Sequence, residues 1–129
     1  MTEIPSAYLG WWRITETSQW VNEYLDDLGL ALISITGRAD RLRMLALLAD
    51  VNWTATTSGL KFSWTGAWEF DPMTGTGTVK LGKDGKLKGT FRIHQGDSST
   101  FVGEKTTAPE LPIPDPPSYR DKWSRSRRW

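Results

Sequence analysis

The chain holds one histidine, His94, followed closely by Gly96, Asp97 and Ser99. An imidazole titrates near neutrality and acts as a general base when a carboxylate fixes its tautomer, so His94 with Asp97 is the pairing that could move protons. Glu69 and Asp71 add two carboxylates that could hold a hard cation or, with His94, zinc. A single histidine and no cysteine make a poor ligand inventory for such a metal. The same residues also read structurally. By alternation His94 continues an outward row of Lys88, Thr90 and Arg92, while Asp97 and Ser99 are turn residues whose oxygens satisfy backbone donors. No catalytic set, metal or cofactor is therefore assigned, and an enzyme using His94 with a rim carboxylate is the third of three readings.

Aromatic residues supply the second kind of chemistry. Trp12, Phe62, Trp64, Trp68, Phe70 and Phe91 share the inward parity of their segments, where they either stack on a flat ligand or fill a small core. The candidate ligand-binding residues are accordingly Trp12, Trp64, Glu69, Asp71, His94, Asp97 and Ser99. Trp11 points the other way and needs a cover. At the C-terminus Arg120, Lys122, Trp123, Arg125, Arg127, Arg128 and Trp129 mix cations with aromatics, and with Trp11 they are the candidate partner-binding residues.

These residues are positioned by a succession of short strands. Residues 8–16 alternate, with Tyr8, Gly10, Trp12 and Ile14 on one face. In 18–28, Trp20, Val21, Tyr24, Leu25 and Leu28 recur at helical spacing before Gly29, which predicts a short amphipathic helix after the first strand. Strand patterns then return at 30–36, 60–70, 77–81, 87–93 and 99–105, and 41–56 reads as one long, bent strand. Turn residues separate them at 37–40, 71–75, 83–85 and 94–97. Seven or eight strands in this order predict a mainly β, antiparallel up-and-down barrel, with a sandwich as the alternative. Successive turns of a meander fall at alternate ends. The loops at 37–40, 69–75 and 94–98 are thus expected to share one rim, bringing Arg38 and Asp40 towards Glu69, Asp71, His94 and Asp97, while the helix lids the opposite end. A polar rim on an aromatic barrel is the form of a small-ligand mouth.

Gly10-Trp11-Trp12 on the first strand resembles the G-x-W opening of the calycin barrels, the lipocalins and fatty-acid-binding proteins. That resemblance implies a barrel with Trp12 packed across one end. The Arg-x-Tyr carboxylate clamp of the fatty-acid-binding proteins has no counterpart in Thr100-Phe-Val-Gly-Glu-Lys105, so fatty-acid binding is not implied. Over residues 8–105 the chain also resembles a group of small, uncharacterised bacterial proteins. It shares Gly10/Trp12/Ile14, Phe62-Ser-Trp-Thr-Gly66, Glu69/Asp71, Gly75/Gly77 and His94/Gly96/Asp97/Ser99/Phe101 with them. It departs where that group is Gly- and Phe-rich and this chain has Arg41-Leu-Arg-Met-Leu-Ala46. The resemblance implies a fold and brings no activity.

Composition narrows the classes further. At 129 residues, the expected organisation is a barrel domain over 1–107 and a Pro-rich basic tail over 108–129, with prolines at 109, 112, 114, 116 and 117. The absence of cysteine excludes disulfides, thiolate metal sites and a cysteine nucleophile. No run of about 18 apolar residues is present, and 1–9 has no signal-peptide pattern, so a cytoplasmic location is expected. The net charge of +1 conceals an asymmetry: 1–117 carries 11 Lys/Arg against 14 Asp/Glu, and 118–129 carries five against one. On that count nucleic acid is expected only through the tail. The reading that follows is a noncatalytic, small-ligand-binding barrel of unknown ligand. The alternative is a protein-interaction or nucleic-acid-associated module acting through the outer sheet face and tail, with homo-oligomers open to either.

Overall fold

Strands that alternate apolar and polar residues each have one face to bury, and eight of them can bury it by closing on themselves. The computed structural model describes residues 3–116. Its strands are β1 (Gly10–Thr17), β2 (Leu32–Ile35), β3 (Asp40–Met44), β4 (Leu47–Ala55), β5 (Leu60–Trp68), β6 (Asp71–Leu81), β7 (Leu87–Ile93) and β8 (Ser98–Thr106). Each pairs antiparallel with the next and β8 returns to β1, closing the barrel without edges. This is the mainly β, up-and-down architecture expected from the alternation.

On the β5–β8 side the interior is made of rings laid on glycines, and on the β1–β4 side chiefly of aliphatic side chains. Phe62 is opposite Gly77, Trp64 opposite Gly75, and Phe101 opposite Gly89. A Cβ on any of these glycines would overlap the ring it faces, so the missing side chain is what lets the aromatic lie against the neighbouring strand. Trp64 stacks on Phe91 with ring centroids 5.0 Å apart. At one end Trp12 donates its indole N–H to the Tyr8 carbonyl at 2.9 Å, under the Lys105 ammonium 4.9 Å from the ring centroid.

Four expectations need correction. First, 41–56 is two strands, joined by a two-residue turn at Leu45 and Ala46. Neither is a turn residue by composition, and Leu45 takes φ +57°, a conformation that costs a non-glycine residue about 1–2 kcal/mol. Burial of its side chain and the bond from its N–H to the Leu25 carbonyl at 2.8 Å offset that cost. Second, 18–28 is not an amphipathic helix but a single 3-10 turn at Asn22–Tyr24 followed by further turns. Asn22 accepts from the Thr17 N–H, and Asp26 accepts from the Ala31 N–H and pairs with Arg13 at 2.7 Å, so side chains draw the backbone away from helical bonding. Leu25 is buried, whereas Val21, Tyr24 and Leu28 are exposed.

Third, β5 ends at Trp68, and the hairpin turns at Glu69 and Phe70 rather than over 71–75. Phe70 therefore lies outside the core and is exposed. Fourth, the extra turn at 45–46 reverses the ends. The turns 45–46, 69–70 and 94–97 share one end with the 18–31 crossover, while 36–39, 56–59 and 82–86 occupy the other. The segment expected to lid the far end thus covers the rim of Glu69 and His94: Trp20 packs on Trp68 and Phe91 at 5.9 and 6.0 Å.

After β8, residues 107–116 run without regular structure over the outside of the barrel. Ile113 is buried there, with Arg41 donating to its carbonyl at 3.4 Å and pairing with the Asp115 carboxylate. The Arg41 Nε also lies 2.6 Å from Asp50, an ion contact whose angle is not that of a hydrogen bond. Trp11, half-buried, lines the same cleft as Pro112, Ile113 and Pro114, which puts part of the Pro-rich arm beside it. Among the described residues no helix is long and apolar enough to cross a membrane.

Candidate functional site

The rim residues do not converge. Glu69 is the first residue of a two-residue turn at φ +59°, and Asp71 opens β6; both are exposed. The His94 ring is bonded through Nδ1 to the Thr74 hydroxyl at 2.8 Å rather than to a carboxylate, and its backbone N–H donates to the Thr74 carbonyl. Asp97 closes the 94–97 turn, accepting the Ile93 N–H at its carbonyl. A cleft of about 610 Å³ contains His94, Asp97 and Thr74 without Glu69 or Asp71. Arg38 and Asp40 belong to the opposite end. There Asp40 is buried and accepts from the Ser34 hydroxyl, the Thr36 N–H and hydroxyl and the Gly37 N–H, which makes it the knot of the 36–39 turn.

The Ser99 hydroxyl accepts from the Ser18 and Gln19 N–H groups at 3.2 and 3.1 Å. Trp12 and Trp64 are buried ring packing. Among the described residues no group of three His, Asp or Glu side chains could hold a metal ion. Of the partner residues, Trp11 is the described one; Arg120, Lys122, Trp123, Arg125, Arg127, Arg128 and Trp129 lie outside the described residues.

Because Glu69 is exposed at a positive φ that glycine adopts without strain, Glu69→Gly is expected to raise stability by about 0.5–1 kcal/mol in chemical denaturation. A loss of stability would show that the carboxylate, not the turn, is what the position needs.

What the side chains do bring together is on the outside of β5–β8. Strand register sets outward residues in rows: Lys61, Thr78, Thr90 and Thr100 form one, and Ser63, Thr76, Arg92 and Ser98 the next. These rows line a trough of about 760 Å³, which Thr54 and Ser18 extend at its two sides. The Thr78 and Thr90 hydroxyls bond each other at 2.8 Å, fixing two oxygens side by side. None of the residues lining the trough is acidic, and its cations are Lys61 and Arg92. A second cleft, of about 380 Å³, shares Lys61 and Thr78 with it and adds Lys80. Nearby, Lys88 is 3.7 Å from Asp84, whose carboxyl is held below its ordinary value chiefly by the Lys86 backbone N–H, with Lys88 and Lys86 adding to the effect.

No family model, curated protein or solved structure matches the chain. The trough escaped sequence reading because its residues come from four strands. The available signal was the regular placing of Ser, Thr, Lys and Arg on the outward parity of 61–65, 74–80, 88–92 and 98–100.

Proposed function

We propose that the protein is a noncatalytic binding module, a calycin-like barrel that takes its ligand on the outer face of β5–β8. The observation that carries this reading is the pair of side-chain rows in register across four strands, facing out of a barrel whose inward positions are occupied by buried rings. The arrangement offers aligned donors and acceptors with two cations and no general base held by a carboxylate, which suits recognition rather than turnover. The position of Trp12, under Lys105 at one end, supports the calycin-like reading.

Backbone amide shift mapping with a panel of soluble glycans, nucleotides and peptides tests the site. Ligand-dependent shifts are expected at Ser63, Thr76, Thr78, Thr90 and Arg92. The double substitution Thr78→Val with Thr90→Val, which keeps shape and strand propensity, is expected to weaken binding about tenfold, the loss of one or two hydrogen bonds. Shifts confined to core or barrel-end residues would reject the outer face.

A second reading keeps the small-ligand site inside the barrel. The Trp64 indole N–H, on a residue only 1 % exposed, has no hydrogen-bond partner among the described residues. A small acceptor reaching it would relieve a cost of about 1–3 kcal/mol. Trp64→Phe separates the two, abolishing an interior site and leaving the outer one intact.

A further inference from the structure

Resting on the outer-face reading, we propose that the ligand of the trough is a phosphodiester chain: a single-stranded nucleic acid held by its backbone. Over 1–117 acidic residues outnumber basic ones, but β5 and β7 carry none and β6 only Asp71, at the barrel end. Glu23, Asp26, Asp27, Glu69 and Asp71 lie in the crossover and hairpin at one barrel end. Lys61, Lys80, Lys88 and Arg92 project outward from three consecutive strands, where paired neighbours stand about 4.8 Å apart.

Within that group, Lys80 is directly opposite Lys88, and like charges so placed across an antiparallel pair destabilise the sheet. Asp84 answers Lys88; Lys61, Lys80 and Arg92 have no ion-pair partner among the described residues. Uncompensated cations beside a concave surface without carboxylates are complementary to a polyanion whose charges repeat at short intervals.

The hydroxyls sharpen the assignment to phosphate. Ser and Thr side chains commonly donate to phosphodiester oxygens, and those of Thr78 and Thr90 are held together between Lys61 and Arg92. The two aromatic residues that line the trough, Phe62 and Phe91, have buried rings and offer bases nothing to stack on. Contact is therefore with the backbone and indifferent to base sequence, unlike sites that read single strands by stacking. A trough of about 760 Å³ has room for a short stretch of flexible strand but not for the body of a duplex.

The test uses the full 129-residue chain and a fluorescein-labelled 20-mer of thymidylate, followed by anisotropy and by amide shift mapping. Binding is expected to weaken with salt at a logarithmic slope of roughly −2 to −3, from about 0.7 per neutralised phosphate and three or four cations. Lys61→Gln, Lys80→Gln and Arg92→Gln together are expected to reduce affinity at least tenfold, with thermal melting close to that of the parent. The tail is controlled by Arg125→Gln, Arg127→Gln and Arg128→Gln, which should leave the shifts at Thr78, Thr90 and Arg92 in place. Binding that survives the face substitutions, or shifts only after residue 116, would overturn the proposal. So would preference for heparin over the oligonucleotide, which assigns a sulfated glycan. If the 20-mer fails and a neutral oligosaccharide shifts β5–β8 amides, the phosphate assignment falls and the trough stands. If neither shifts them, both fall.

Discussion

Gly77→Ala is expected to destabilise the barrel by about 3 kcal/mol, the upper part of the range for inserting a methyl group into a packed core. At this chain length that corresponds to a fall of roughly 10 °C in melting temperature. The added Cβ would overlap the Phe62 ring and the Thr90 carbonyl. The ring could turn away only into space held by other buried side chains, and the carbonyl is fixed in the β6–β7 ladder. Gly85→Ala is the control: Gly85 has φ +80° with nothing near its absent Cβ, so only backbone strain of about 1 kcal/mol applies. Urea unfolding of both variants decides between sterics and flexibility. Equal, small losses would mean that the rings are not held against the glycines.

The second large effect is expected at Asp40. Asp40→Ala removes the acceptor of four donors at a site 2 % exposed to solvent, and should cost about 3 kcal/mol or more through hydrogen bonds left unmade. Asp40→Asn, which keeps one acceptor oxygen, should cost about half as much. Denaturant midpoints with unchanged slope would place the loss in the native state. If Asp40→Ala unfolded within about 1 kcal/mol of the parent, the carboxylate would not be the knot of the 36–39 turn. Were Asp40 a ligand contact instead, its removal would lower affinity with little change in stability.

These residues also indicate how much was legible beforehand. The inward parity of Phe62, Trp64 and Gly77 was legible, because period-two alternation identifies the inward face of a strand without knowledge of its neighbours, whereas which glycine each ring meets was not. Strand spans at 87–93 and 99–105, and the 94–97 turn, came close for the same reason. The candidate site was read less well. His94 was rightly placed in an outward row, but its partner, Thr74, is 20 residues earlier and adjacent only through the β6–β7 register.

A single missed hairpin accounts for most of the displaced rim. Nothing in Met44-Leu-Ala-Leu47 suggests a turn, since Leu45 tolerates a positive φ only because it is buried and its N–H meets the Leu25 carbonyl. That compensation comes from a segment 20 residues away. Once the hairpin is absent from the count, the later turns keep their relation to one another but fall at the wrong end relative to those before residue 45, and Asp40 appears beside Glu69 instead of at the other end. The helix expected at 18–28 failed because Asn22 and Asp26 bond the backbone N–H groups of Thr17, where β1 ends, and Ala31, just before β2, in place of helical bonding.

The amino-acid sequence by itself determined the antiparallel β class and, Phe70 excepted, which rings of each strand face inward and which polar residues face out, because these depend on periodicity that each strand carries alone. Tertiary structure decided which turns share an end, which side chains meet across strands and where cations gather without counterions. Those relations are set by strand register and closure, and neither is encoded within any one segment.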